Sequence, residues 1–391
     1  MSLIEDLTEP QLRARRSVKW EVAPDGVLPA WVAETDYALC PEIGEALQRA
    51  VRDGVLGYPA TGSASEAGFP GLPEALASFA TQAWGWEADP ARTILVGDVM
   101  AGIRLVLETL CEKAPVVVPT PAYPPFLDVA QLTGRQMVPV PLDPDSPVAV
   151  LDLERVDAAL GAGARTVLLC NPHNPWGRTF SRFELEGLRD VVTRHGARVV
   201  SDEIHAPLVL PGAEHVPYLT LDGTAEHAVA VLSASKAWNV PGLKCAQVVT
   251  GTAADAAALT AVPLVANHGV SSLGIVANTA AYTSGGRWLE ALVERLDAQR
   301  ALLTRCLAAL LPDARMRPLE ATYLTWVDAR AYGLEHPAAV ALERGHVMVN
   351  EGTTFGEGGA GHVRVNIATS AERLEEVVRR LAAAWTTPHV R

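Results

Sequence analysis

The chain has 391 residues, 49% apolar and 20% charged, with a formal net charge of −13. That length exceeds one simple core, so a large domain with a smaller one attached is expected. The acidic balance argues against nucleic acid or an anionic membrane surface as main partner, and no apolar run approaches the roughly 20 residues that cross a bilayer.

Met1 to Arg16 are polar and charged, without the apolar stretch of a secretory signal, so a cytoplasmic protein is expected. Five scattered cysteines (Cys40, Cys111, Cys170, Cys245, Cys306) lack CxxC spacing, and the histidines show no HExxH-like spacing. We therefore expect neither a disulfide framework nor a metal site.

In chain order, an amphipathic helix begins at Pro41, with Ile43, Leu47 and Val51 on one packing face. Short apolar runs then alternate with helical patterns such as Leu185–His195. The candidate strands are Thr93–Val96, Val116–Val118, Met137–Val140, Thr166–Cys170, Arg198–Ser201, Ala228–Leu232 and Gln247–Thr250. Several are apolar on both faces, as strands buried between two layers of helices must be. This predicts an α/β fold, a three-layer αβα large domain with a mostly parallel sheet and ligands at the carboxyl ends of its strands. A long helix is expected from about 285 to 312. Leu374, Val377, Val378 and Leu381 mark a last helix, with Thr369 and Glu372 as its capping box. The expected division is an N-terminal segment (1–45) packed on the small domain, a large domain (46–275) and a smaller α+β C-terminal domain (276–391).

Polar motifs follow the predicted strands. Ser233-Ala-Ser-Lys-Ala-Trp-Asn-Val-Pro-Gly-Leu-Lys244 places Lys236 after an apolar strand and among small hydroxyl residues, where a solvated surface charge is hard to justify. Such a lysine suits a Schiff base with an aldehyde, while Ser233 and Ser235 can hydrogen-bond a phosphate. An aldehyde and a phosphate on one small molecule suggest pyridoxal 5′-phosphate (PLP). In Asn171-Pro-His-Asn-Pro-Trp-Gly-Arg178, two Asn-Pro pairs and a glycine force a turn that clusters polar side chains. Ser201-Asp-Glu-Ile-His205 puts a carboxylate at a strand end, and PLP needs an acid against its pyridine nitrogen to act as an electron sink. Thr120-Pro-Ala-Tyr-Pro-Pro-Phe126 holds Tyr123 rigidly. Gly97-Asp-Val-Met-Ala-Gly-Ile103 opens a helix whose Val99 and Met100 amides can donate to an anion. Gly361-His-Val-Arg-Val-Asn-Ile367 is a strand-like alternation carrying Arg364.

These motifs resemble those of fold-type I PLP-dependent enzymes of the class I/II aminotransferase-like group, over roughly Ser17 to Leu381. The resemblance implies Lys236 as the cofactor lysine and Asp202, 34 residues earlier, as the acid at the ring nitrogen. It implies Tyr123 stacked on the ring, Asn174 on the phenolic oxygen, and Val99, Met100, Ser233, Ser235 and Lys244 around the phosphate. Lys244 stands where most of that group has arginine. Arg364 matches the residue that holds the substrate α-carboxylate bidentately, a pairing that lysine cannot reproduce. Gly57-Tyr-Pro59 matches a segment that in dimeric relatives enters the neighbouring subunit's site, which implies a homodimer with Tyr58 on the partner's phosphate. Relatives usually carry a small neutral residue at Asp98, so its carboxylate is expected to point away from the phosphate. Glu203 and His205 belong to the same run as Asp202 with a weaker claim to a direct role, and the loop around His268 reads as structural.

Ser17-Val-Lys-Trp20 and Leu28-Pro-Ala-Trp-Val-Ala-Glu-Thr-Asp-Tyr37 resemble the start of the cystathionine β-lyase group typified by the MalY and PatB proteins. "Trp-Val-Ala-Asp-Met-Asp-Phe" is usual there, and Glu34, Thr35 and Tyr37 depart from it near the substrate. Tyr37 is therefore a candidate substrate contact beside Arg364 and Asn174. The implied reaction is β-elimination from an amino acid with sulfur on Cβ. Lys236 removes the Cα proton as general base, and a thiol, pyruvate and ammonia leave. An aminotransferase, an enzyme cleaving or oxidatively decarboxylating a bulky S-cysteinyl conjugate, and a PLP-dependent regulator stay open as alternatives.

Overall fold

The computed structural model describes residues 3–59, 71–143 and 145–387. Its strands in chain order are β1 Leu28–Pro29, β2 Thr93–Val96, β3 Val116–Thr120, β4 Met137–Pro141, β5 Thr166–Cys170, β6 Arg198–Asp202, β7 Ala228–Leu232 and β8 Ala246–Thr250. They continue with β9 Arg315–Met316, β10 Leu324–Asp328, β11 Val347–Met348, β12 Asn350–Glu351 and β13 His362–Asn366. Seven strands form one sheet in the order β2-β8-β7-β6-β5-β3-β4, parallel throughout except for the reversed β8. Four strands form an antiparallel sheet, β12-β13-β10-β9, and β1 pairs with β11 in parallel.

The alternation of side chains along a strand explains why the large sheet has two layers of cover. On β5, Val167 and Leu169 enter one apolar cluster, while Leu168 and Cys170 enter the cluster on the opposite face. On β7, Ala230 and Leu232 face one side, Val229 and Val231 the other. Two glycines permit close approaches here, Gly102 of the helix Val99–Thr109 to the sheet and Gly97 to the loop at Gly269. A Cβ at Gly102 would lie 3.0–3.1 Å from Val248, Val231 and Val96 side chains, and one at Gly97 would lie 2.9 Å from the Gly269 carbonyl oxygen.

Several local expectations change. The last helix, Ala371–Thr386, is capped by Ser370, whose side chain accepts from the Arg373 N–H; Thr369 instead turns inward, its carbonyl taken by Tyr37 and Gln299. On the helix Pro41–Arg52, Ile43 and Ala50 are buried while Val51 is exposed, because the helix meets its neighbours one position earlier than the pattern implied. The helix Ser272–Ser284 runs across the expected boundary at 275–276, and Gly286–Leu310 follows it.

Candidate active site

Strand ends of the large sheet, the segment 31–33 and the small sheet enclose a cavity of about 430 Å³. Its wall includes Trp31, Asp98, Val99, Met100, Tyr123, Asn174, Asp202, His205, Ser235, Lys236, Lys244, Asn350 and Arg364. Nine predicted residues therefore share one space, since five of these strand ends lie on one edge of the sheet.

Lys236 follows β7 and is half-buried; its Nζ donates to the Ala33 carbonyl at 3.2 Å. Burial, helped by the nearby Arg364 cation, pushes this amine down to about 8, against the pull of Glu34 and Asp202. Asp202 ends β6, and its Oδ1 accepts from the Ile204 N–H at 3.0 Å. Burial, together with adjacent Glu203, raises it to about 7, although Lys236 opposes this. Glu203 faces away from the cavity. Its Oε1 accepts from the Ser201 hydroxyl (2.8 Å) and the Tyr218 N–H (3.0 Å), and its Oε2 lies 3.1 Å from His215 Nε2. His205 does line the cavity; burial lowers it to about 3, so its ring is neutral.

Arg364 projects from β13 between three neutral acceptors. Nη1 donates to Asn174 Oδ1 (3.1 Å), and Nη2 donates to the Trp31 carbonyl (2.9 Å) and Asn350 Oδ1 (2.7 Å). The guanidinium lies 4.9 Å from the centre of the Phe355 ring, and its Nε is buried without a partner. Among the described residues no carboxylate pairs with it, and burial lowers it to about 10. Asn350 and Trp31 were absent from the sequence-based set. Asn350 gave no signal there, because its role depends on β12 pairing with β13.

At the other end, Val99 and Met100 begin the helix Val99–Thr109, with Ser235 and Lys244 beside them on the wall. Asp98 does not point away. It caps the helix, accepting from the Ala101 N–H at 2.8 Å, and its other oxygen lies 2.9 Å from Lys244 Nζ, on the cavity wall.

Two expected members, Ser233 and Tyr37, lie elsewhere. Ser233 is buried beneath the loop, its hydroxyl donating to the Cys245 carbonyl (2.7 Å) and accepting from the Ser235 N–H (3.1 Å), so it braces the turn that carries Lys236. Tyr37 is fully buried; its hydroxyl donates to the Thr369 carbonyl at 2.8 Å and its ring lies under Arg295, so it ties the N-terminal segment to the last helix. Tyr58 is fully exposed and does not line this cavity. His268 is exposed and likewise off the wall. Among the described residues no His, Cys, Asp and Glu group could hold a metal ion, and no helix is long and apolar enough to cross a membrane.

The departures at Glu34 and Thr35 have a simple geometric context. The roof segment meets the site through backbone carbonyls, Trp31 O to Arg364 and Ala33 O to Lys236, which any side chain could supply. It is anchored from behind by a buried Lys19–Asp36 ion pair (2.9 Å), by Trp20 Nε1 on the same Asp36 oxygen (2.8 Å), and by reciprocal bonds between Asn239 and the Thr35 backbone.

Known proteins share this arrangement. The sequence pattern of the aminotransferase class I and II family matches residues 32–381. A cystathionine β-lyase of Corynebacterium glutamicum is 35% identical, covering 95% of this chain and 98% of its own, and the cystathionine β-lyase PatB of Bacillus subtilis is 32% identical, covering 94% and 96%. The crystal structure of a Corynebacterium diphtheriae protein assigned as a PLP-dependent β-cystathionase superposes with a TM-score of 0.92 at 36% identity, covering 98% of this chain and 99% of that one. Sequence, fold and the clustering of strand-end residues agree: the chain belongs to the aminotransferase class I and II family.

Proposed function

We propose that the chain is a PLP-dependent carbon–sulfur β-lyase, converting an S-substituted L-cysteine to a thiol, pyruvate and ammonia. One observation carries the reading: a buried Arg364 with no carboxylate partner among the described residues shares a cavity with a half-buried lysine and a buried acid. A desolvated cation with a free Nε is a receptor for a carboxylate, and an α-amino acid brings one. The near-full-length likeness to cystathionine β-lyases selects elimination from a cysteine conjugate.

The donor set fits PLP. Lys236 would hold its aldehyde carbon, Asp202 its ring nitrogen, Tyr123 one ring face, and Asn174 its phenolic oxygen. Ser235, Lys244 and the amides of Val99 and Met100 would hold its phosphate. When bound, PLP supplies an electron sink that acidifies the substrate Cα–H. An Nζ lowered to about 8 is partly neutral near neutral pH, so Lys236 can take that proton. Asp202 would pair with the ring nitrogen, and Arg364 would fix the substrate carboxylate so that Cα faces Lys236.

The finer assignment is a homodimer in a reducing, cytoplasmic setting. Fully exposed Tyr58 beside exposed Leu56 supports the first, and five cysteines outside any disulfide support the second. The test is incubation of PLP-loaded protein with L-cystathionine and with a simple S-alkyl cysteine, without a keto acid. Stoichiometric thiol, pyruvate and ammonia are expected. Conversion of the cofactor to its amine form with no thiol release would overturn the lyase in favour of a transaminase.

A further inference from the structure

We propose that Asp98 is a built-in counter-anion of the phosphate end of the cavity, and that it makes the chain hold PLP more weakly and more reversibly than the same site without that carboxylate. The inference rests on the PLP reading above and concerns only the phosphate end.

Two features there would attract a phosphate: the amides opening the helix Val99–Thr109, and the Lys244 ammonium. Asp98 already engages the second, and it takes a further amide, that of Ala101, in the same first turn. Its Oδ1 accepts from the Ala101 N–H at 2.8 Å, and its Oδ2 lies 2.9 Å from Lys244 Nζ. A carboxylate at a helix N-cap satisfies free N–H groups and complements the positive end of the helix dipole, which is what a bound phosphate does. An arriving phosphate dianion therefore meets its one cation already engaged and a like charge on the same wall.

Asp98 stays ionised while it does this. Burial works against its charge, but the bonds from Lys244 and the Ala101 N–H outweigh burial and hold it below the usual carboxylate range. Lys244 cannot relieve the competition as an arginine would. Its ammonium is one compact charge shared between two anions, without a planar fork to engage both in register. Nor does the next cation on the helix help, because Arg104 is paired with Glu108 at 3.0 Å. In the cofactor's absence the same carboxylate keeps Lys244 paired and caps the helix through the Ala101 N–H.

The experiment compares wild type with Asp98→Asn and Asp98→Ser, which keep a capping side chain and remove only the charge. Cofactor-free protein is titrated with PLP and, separately, with pyridoxal, following the absorbance of the Lys236-bound chromophore. We expect both variants to bind PLP about tenfold more tightly, with pyridoxal affinity unchanged and the gain reduced when Lys244→Gln is added. PLP affinity that is unchanged or weaker in both variants, or a parallel rise for pyridoxal, overturns the proposal. Wild type that binds neither ligand overturns the functional reading itself, a result distinguishable from failure of the Asp98 role alone.

Discussion

Arg364 and Asp202 line one cavity, and burial holds each away from its usual titration. For Arg364 the missing carboxylate partner makes lysine a poor substitute, since one ammonium cannot span Asn174, Asn350, the Trp31 carbonyl and a substrate carboxylate. Arg364→Lys should lower kcat/KM about a hundredfold, mostly through KM, as expected when a buried charge pair loses its geometry. A near-wild-type KM would remove Arg364 from the carboxylate site. For Asp202 the folded value of about 7 exceeds the unfolded value near 4, so between these pH values the folded chain binds the extra proton. Stability of the cofactor-free protein should fall as pH rises through that window. Asp202→Asn should match wild type below about pH 4 and exceed it above pH 7, by up to about 4 kcal/mol. Denaturant unfolding at both ends of the window checks this; an equal offset at both would show that Asp202 is not held protonated by burial.

The roof segment shows how an element serves the site without supplying a side chain to the reaction. Its position depends on Lys19 and Asp36, both 1% exposed and 2.9 Å apart. Lys19→Met leaves Asp36 buried without its cation, and breaking such a pair costs about 3–5 kcal/mol. Because Trp31 and Ala33 carbonyls then lose their anchor, turnover should fall along with melting temperature, measured by calorimetry and thiol release on one preparation. Loss of stability with unchanged kcat/KM would separate the roof from the chemistry. At this scale the seven strands of the large sheet were legible to within two residues, because short runs covered on both faces tolerate little else than apolar, β-favouring side chains, whereas β1, β9, β10, β11 and β12 were not read from the sequence. Caps and faces were less legible. Thr369 and Ser370 are chemically interchangeable as caps, and which one turns inward is decided by Tyr37 and Gln299, far away in sequence.

For the whole molecule, the proposed second copy would cover fully exposed Tyr58 and the exposed apolar side chains of Leu56, Leu264 and Val265. Sedimentation at micromolar concentration should give twice the chain mass, and Tyr58→Phe should weaken PLP binding severalfold while leaving pyridoxal binding unchanged. A monomer that binds and turns over normally would refute the shared site. Residue type and local spacing by themselves determined the layered α/β fold and the strand-end position of the motifs, because those depend on short-range periodicity, while the roles proposed for Lys236, Asp202, Tyr123 and Arg364 came from the family resemblance. Side-chain direction required the tertiary structure. Ser233 turns under its loop, Tyr37 locks onto Thr369, Asn350 arrives beside Arg364, and Asp98 takes Lys244 for itself. Each outcome is a hydrogen bond or ion pair whose energy depends on a partner many residues away, and only the folded chain brings the two within 3 Å.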